Sequence, residues 1–258
     1  MTPDPAITRT ALVTGGAHRI GRALVDDLAA QGFAVAIHYN RSGDAAKSAA
    51  TAIRAVGGSA AAVQADLSVE SETAALMPKA AAMLGPIGLL VNNASTFEHD
   101  DAATADRASW DLHIEPNLRA PFLLSQALAA GLPDDGRGLI VNLLDQRVWR
   151  LTQHFMSYTV SKMGLWTLTR TMALGLAPRI RVNAIGPGPT LANARQNQAA
   201  FDAQVAATPL MIQPALDDFA AALRFFLSAR SVTGQMLALD SGQHLGWSAA
   251  QTAATDLE

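Results

Sequence analysis

The sequence predicts an α/β fold, a doubly wound parallel sheet of about seven strands with helices on both faces. Two observations predict it. Short, nearly continuous apolar runs alternate with helix-length segments, as expected for strands buried on both faces. Glycine or polar turns bound those runs.

The first strand reads as Thr10–Thr14, and a turn of Gly15-Gly16-Ala17-His18-Arg19-Ile20-Gly21 leads into a helix from about Arg22 to Gln31. Ala34–Tyr39 is the second strand, followed by a polar turn and a helix ending near Gly57-Gly58. Ala60–Gln64 is the third, with a helix over Glu72–Leu84. Ile87–Asn92 and Leu139–Leu144 are the fourth and fifth, with a long helical region between them. A helix over Tyr158–Ala177 precedes the sixth strand, Arg181–Ile185, and Gln235–Leu239 is the seventh. Residues 187–214, rich in proline, asparagine and glutamine, suit a substrate loop with short helices beyond a strand end. No repeat or linker interrupts residues 1–258, which predicts one domain.

Half of the 258 residues are hydrophobic and 16% are charged, a composition that excludes disorder. A net charge of -3 gives no broad attraction for nucleic acid. Without cysteine there can be no disulfide, thiolate nucleophile or cysteine-ligated metal. The six histidines show no metal-ligand spacing, so no metal is expected. No signal-peptide pattern is evident, and apolar stretches break before the length of a membrane span, so a soluble, cytoplasmic protein is expected.

A glycine turn between strand and helix brings backbone N–H groups and a helix dipole to one point, where a pyrophosphate can sit. Arg19 stands where this fingerprint usually has a middle glycine, and its guanidinium can add phosphate neutralisation. A tight turn without a ligand is the alternative. At the end of the second strand an NAD site needs a carboxylate for the ribose hydroxyls, and such a group repels a 2′-phosphate. Here the chain reads His38-Tyr39-Asn40-Arg41-Ser42, with no acid until Asp44. That favours NADPH; a solvated turn and helix cap is the competing reading. Asp66-Leu67, after the third strand, can meet adenine or cap a helix.

Tyr158 and Lys162, four apart, share one helix face. An ammonium beside a phenol lowers the tyrosine pKa toward working pH, so this pair is the expected reactive centre. Asp145 closes the fifth strand and can orient the phenol or relay a proton through water. Asn117 can hold a water by disrupting helix bonding, or is simply a polar helix residue. Small residues in Asn92-Asn93-Ala94-Ser95 allow close approach of a dinucleotide. Phe97 offers a flat surface to a planar substrate or packs within its loop.

Over almost its whole length, through Thr14–Gly21, Asn92–Ala94 and Tyr158–Lys162, the chain resembles the short-chain dehydrogenase/reductase superfamily. Within it, the chain is most similar to pteridine reductases and bacterial dihydromonapterin or dihydrofolate reductases. Arg19, His38-Tyr39-Asn40-Arg41-Ser42, Ser95 after Asn92-Asn93-Ala94, and Asp145 in place of the usual catalytic serine all depart from the common superfamily pattern toward that group.

The resemblance implies a Rossmann-like NADPH-binding domain, a homotetramer, and reduction of a C=N bond in a pterin. Tyr158 would be proton donor, Lys162 its electrostatic partner and ribose ligand, and Asp145 a hydrogen-bond partner of Tyr158. Phe97 would stack on the pterin, with Arg19, Ser95, Asp145 and Tyr158 also touching it. Cofactor contacts would come from Gly15, Arg19, Ile20, Gly21, Tyr39, Asn40, Arg41, Ser42, Asp66, Leu67, Asn93, Ala94, Ser95, Asn117, Tyr158, Lys162, Pro187 and Gly188, with Ile185 a backbone ligand near the carboxamide. Ser241 departs from a glycine frequent in the superfamily. A carbonyl reductase acting on a ketone, quinone or 3-oxoacyl substrate is the alternative enzyme; a nucleotide-binding protein without turnover is the alternative class.

Overall fold

The computed structural model describes residues 2–192 and 196–246. Its seven strands are β1 (Thr10–Val13), β2 (Ala34–Tyr39), β3 (Ala60–Gln64), β4 (Leu89–Asn92), β5 (Gly138–Leu143), β6 (Ile180–Pro187) and β7 (Met236–Leu239). They form one parallel sheet in the order β3-β2-β1-β4-β5-β6-β7. The order reverses between β1 and β4, and in such sheets ligands bind beyond the carboxyl ends of the strands at that reversal.

Among the described residues the α-helices are α1 (Arg19–Ala30), α2 (Gly43–Ala55), α3 (Glu70–Leu84), α4 (Arg107–Ile114), α5 (Ala120–Gly131), α6 (Met156–Gly175), α7 (Gln198–Ala206) and α8 (Leu216–Ser228). Alternate strand residues feed two cores. Ala11, Val13, Leu89 and Val91 face α1, α2 and α8, whereas Leu12 and Leu90 face α3, α5 and α6. In α1, Gly21, Leu24, Val25 and Leu28 are buried at helical spacing; in α2 a mostly alanine stripe, Ala46, Ala49, Ala50 and Ile53, does the same work with smaller side chains.

Several expected boundaries move. Helix α1 starts at Arg19 rather than Arg22, because the chain is already helical beyond the left-handed Arg19 at φ +54°. Strand β6 runs to Pro187, two residues past Ile185, because β7 continues to pair with it through Pro187 opposite Leu239. Helix α8 was not read from the sequence; its buried Phe219, Leu223, Phe226 and Leu227 cover the sheet beside α1. The region between β4 and β5 is two helices joined by a π-helical turn, Glu115–Arg119. Loop 187–214 contains α7, and its residues 193–195 lie outside the described residues. Among the described residues no helix is long and apolar enough to cross a membrane.

Candidate active site

The glycine turn is built by contacts across β1, β2 and β4. Gly15 adopts φ +61°, and its N–H donates to His38 Nδ1 at 3.0 Å. His38 Nε2 lies 3.0 Å from the Ala65 carbonyl, which fixes the neutral Nε2–H tautomer. Burial lowers the His38 pKa. A Cβ added at Gly21 would lie 2.3 Å from the Gly15 carbonyl oxygen and 2.5 Å from Asn93 Nδ2, so turn and helix meet at backbone distance. His18, at the N-cap of α1, makes no side-chain cap bond.

Several expected cofactor residues also make contacts within the fold. The Asn93 amide donates to the Thr14 and Gly15 carbonyls at 2.8 and 3.2 Å, and the Thr14 hydroxyl accepts from the N–H groups of Asn93 and Ala94. Asn117, buried in the π-helical turn, accepts from Thr96 N at 2.8 Å and donates to Thr96 O at 2.9 Å. It also donates to Ser161 Oγ at 3.2 Å. The Leu67 side chain is in the core, and Ile185 O is taken by Leu144 N. Asp66 accepts from Ser68 N and Oγ in a local turn, and these bonds lower its pKa, with smaller contributions from Asn40 and Arg41. Arg41 and Asn40 are thus placed beside Asp66 at the open ends of β2 and β3, with Arg41 exposed. Ser42 precedes α2 without capping it.

A cavity of about 270 Å³ opens past the ends of β4, β5 and β6 and gathers Ser95, Phe97, Asp145, Tyr158, Lys162 and Arg19. Ile20, Asn93, Pro187 and Gly188 also border it, whereas Tyr39, Asn40, Arg41, Ser42, Asp66 and Leu67 lie apart at the other side of the switch. Arg19 spends its guanidinium on the carbonyls of Leu191 and Ala192 at 2.8 and 2.9 Å, which ties the loop after β6 to the glycine turn. Partial burial lowers its pKa.

Tyr158 Oη donates to Asp145 Oδ2 at 2.9 Å, and Lys162 Nζ donates to Leu143 O at 2.8 Å. Both side chains are buried. The expected lowering of the tyrosine pKa by Lys162 is corrected by this geometry. Burial and then the Asp145 carboxylate push the phenol well above its ordinary value, while Arg147 and a hydrogen bond from Ser95 oppose them. Burial also lowers Lys162 to about 8, against the pull of Asp145. The phenol thus keeps its proton and directs it to Asp145 Oδ2 at the cavity wall.

Two participants escaped the sequence reading. Arg147, two residues after Asp145, donates its backbone N–H to Asp145 Oδ1 at 2.8 Å and brings its guanidinium to 3.4 Å from Oδ2. Its guanidinium carbon also lies 5.4 Å from the Phe97 ring centroid. Phe155 stacks on Phe97 at 4.3 Å, and Tyr158 meets Phe97 edge-on at 4.6 Å. The strand-end position of Asp145 was a signal for Arg147; Phe155 had none.

Residues 9–203 match the family model described as short chain dehydrogenase. A crystal structure titled FolM alternative dihydrofolate reductase 1 from Brucella canis, complexed with NADP, is 50% identical and superposes with a TM-score of 0.92 over 95% of this chain and 98% of that one. The Brucella suis protein of the same title, also with NADP, is 51% identical with a TM-score of 0.91 over 93% and 96%. The 3beta-hydroxysteroid dehydrogenase 1 of Eggerthella lenta is 35% identical over 92% of this chain and 94% of its own. With a doubly wound sheet, a glycine turn at the switch point and a buried Tyr158–Lys162 pair, the chain belongs to the short-chain dehydrogenase family.

Proposed function

We propose that the chain is an NADPH-dependent reductase of a C=N bond in a planar, pterin-like substrate such as a dihydropterin, dihydromonapterin or dihydrofolate. The observation that carries this reading is the Tyr158 hydroxyl bonded to Asp145 beside the Phe97 ring. A carboxylate there, rather than the usual serine hydroxyl, is one of the departures by which the chain resembles pteridine reductases. The likeness to the two Brucella reductases supports the same choice.

The residues present fit the cofactor. The α1 N-terminus lacks a side-chain cap, and Gly21 allows the closest approach of helix and turn, features that suit a pyrophosphate. Exposed Arg41 and the uncapping Ser42 suit a 2′-phosphate, with Gly15, Ile20, Tyr39, Asn40 and Ala94 around the dinucleotide. Asp66, Leu67, Asn93 and Asn117 would act chiefly by shaping the turns, and Pro187 and Gly188 would border the nicotinamide end. When bound, NADPH supplies the hydride.

The chain's own residues do the rest. Phe97 orients the ring, and Ser95 and Arg19 bound it. Burial and Asp145 keep Oη of Tyr158 protonated, and the hydroxyl turns from Asp145 toward the ring nitrogen to donate as the carbon receives hydride. Asp145 aligns that hydroxyl, and Lys162 serves as ribose ligand and positive charge beneath it. A ketone substrate is the competing reading, favoured by the Tyr158–Lys162 pair and the hydroxysteroid dehydrogenase relative. Steady-state kcat/KM with NADPH, compared for dihydropterins, steroid ketones and 3-oxoacyl thioesters, separates them. The dihydropterin is expected to be preferred; turnover of carbonyls alone would overturn the reading.

A further inference from the structure

Beneath the cavity lies a polar node that the proposed chemistry does not use. Asp100, His113 and Ser157 come from the loop after β4, from α4 and from the first turn of α6, and all three are buried. The hydrogen bonds run in one direction. Glu98 N–H donates to His113 Nε2 at 3.0 Å, which leaves the proton on Nδ1. Nδ1 then reaches Ser157 Oγ at 2.7 Å and Ser109 O at 2.9 Å. Ser157 donates both its hydroxyl and its backbone N–H, the latter at 3.2 Å, to the Asp100 carboxylate.

The node supplies what α6 lacks. Phe155 occupies its N-cap with φ +58° and has no side chain able to accept a backbone N–H. A left-handed phenylalanine is strained and persists only where its surroundings fix it. Asp100 does so twice: its carbonyl accepts Phe155 N–H at 2.7 Å, and its carboxylate caps the helix at Ser157. Negative charge at a helix N-terminus is also favoured by the dipole. Phe97 lies three residues before Asp100, and Tyr158 directly follows Ser157.

We infer that Asp100, acting through Ser157 and His113, is a positioning residue that locks the Phe97 loop to the first turn of the catalytic helix, so that aromatic face and phenol move as one unit. This inference rests on Phe97 and Tyr158 flanking the substrate and not on the substrate being a pterin. Its direction matters. With Asn in place of Asp100, an amide N–H replaces one acceptor of the Ser157 donors. If the serine reorients, His113 must turn its Nδ1–H away, and Glu98 N–H loses its acceptor. Acid acts at the same link, since a proton on Nε2 faces that N–H. Asp100 and Glu98 of the loop and the Tyr158 ring of α6, 5.9 Å away, surround the imidazole.

Two measurements test it. In the first, Ser157→Ala and Asp100→Asn are assayed on the best substrate of the wild type. KM should rise about tenfold or more, because small misplacements are expensive in rate and binding, while NADPH affinity stays within about twofold. Ser157→Thr, which keeps the hydroxyl, should restore most of the loss. Unchanged KM in either folded variant, or an equal loss of NADPH affinity, overturns the proposal. The second uses amide hydrogen exchange in the wild-type protein and needs neither substrate nor variant. The amides of Glu98, Phe155 and Ser157 should open together, with Glu98 protection falling first as pH drops below the ordinary histidine range. A Glu98 amide exchanging independently at neutral pH, while the other two stay protected, overturns it even if no dihydropterin is ever reduced.

Discussion

Lys162→Met should remove turnover while leaving the folded protein as stable as before, or more so, at neutral pH. The wild-type ammonium is buried, and burial holds its pKa at about 8 against an ordinary 10.5. At pH 7 the charge therefore costs the fold on the order of 3 kcal/mol relative to a solvated lysine. Methionine has a similar length and no charge to bury, but it forfeits the bond from Nζ to Leu143 O, worth roughly 1.5–3 kcal/mol. The net change lies between about zero and 2 kcal/mol of added stability, a Tm rise of up to several degrees for a domain of this size. The sign with pH is fixed. A lysine whose folded pKa is depressed gains relative stability as pH rises from 8 toward 10.5, so the variant's advantage should shrink by about 2 kcal/mol between pH 7 and 9.5. Urea unfolding of both proteins at the two pH values is the assay. A loss of more than about 1 kcal/mol at pH 7, or an advantage that grows with pH, would refute the assignment of a strained, functional charge.

Other substitutions read other parts of the site. Tyr158→Phe should retain NADPH affinity and lose about tenfold to a thousandfold in kcat, as expected for a proton donor; equal turnover would remove that role. Arg41→Ala should weaken NADPH much more than NADH in a fluorescence titration, and an unchanged preference would defeat the 2′-phosphate assignment. Gly21→Ala places a Cβ 2.3 Å from the Gly15 carbonyl and should destabilise the protein by about 1–3 kcal/mol while weakening dinucleotide binding. Wild-type stability and affinity in that variant would mean the turn can open.

The parts legible in the sequence were those governed by local rules. Continuous apolar runs located all seven strands, and the order of glycine turn, strand ends and Tyr158–Lys162 placed the cavity. Departures from glycine proved informative about backbone. Arg19 and Ser241, both noted as standing where relatives keep glycine, adopt φ +54°, so the conformation persists while the side chain changes. Contacts between distant segments were not legible. Nothing local distinguishes Asn117, which grips Thr96, from an asparagine that touches a ligand. The direction of the tyrosine pKa is not legible in the spacing, which reveals the neighbouring lysine but neither the burial nor the Asp145 contact that raise it. Helix α8 carries a helical-period signal in Phe219, Leu223, Phe226 and Leu227, but it directly follows the polar loop and no glycine turn marks its start.

In the proposed reaction hydride reaches a ring carbon of a pterin while Tyr158 supplies the proton. NADPH deuterated at the transferable position, incubated with a dihydropterin and the protein, tests it by mass spectrometry and NMR of the product. One deuterium on the reduced ring carbon, incorporated about tenfold to a thousandfold more slowly by Tyr158→Phe, is the predicted result. Deuterium appearing on a ketone's carbinol carbon in parallel reactions, with none in the pterin, would contradict it.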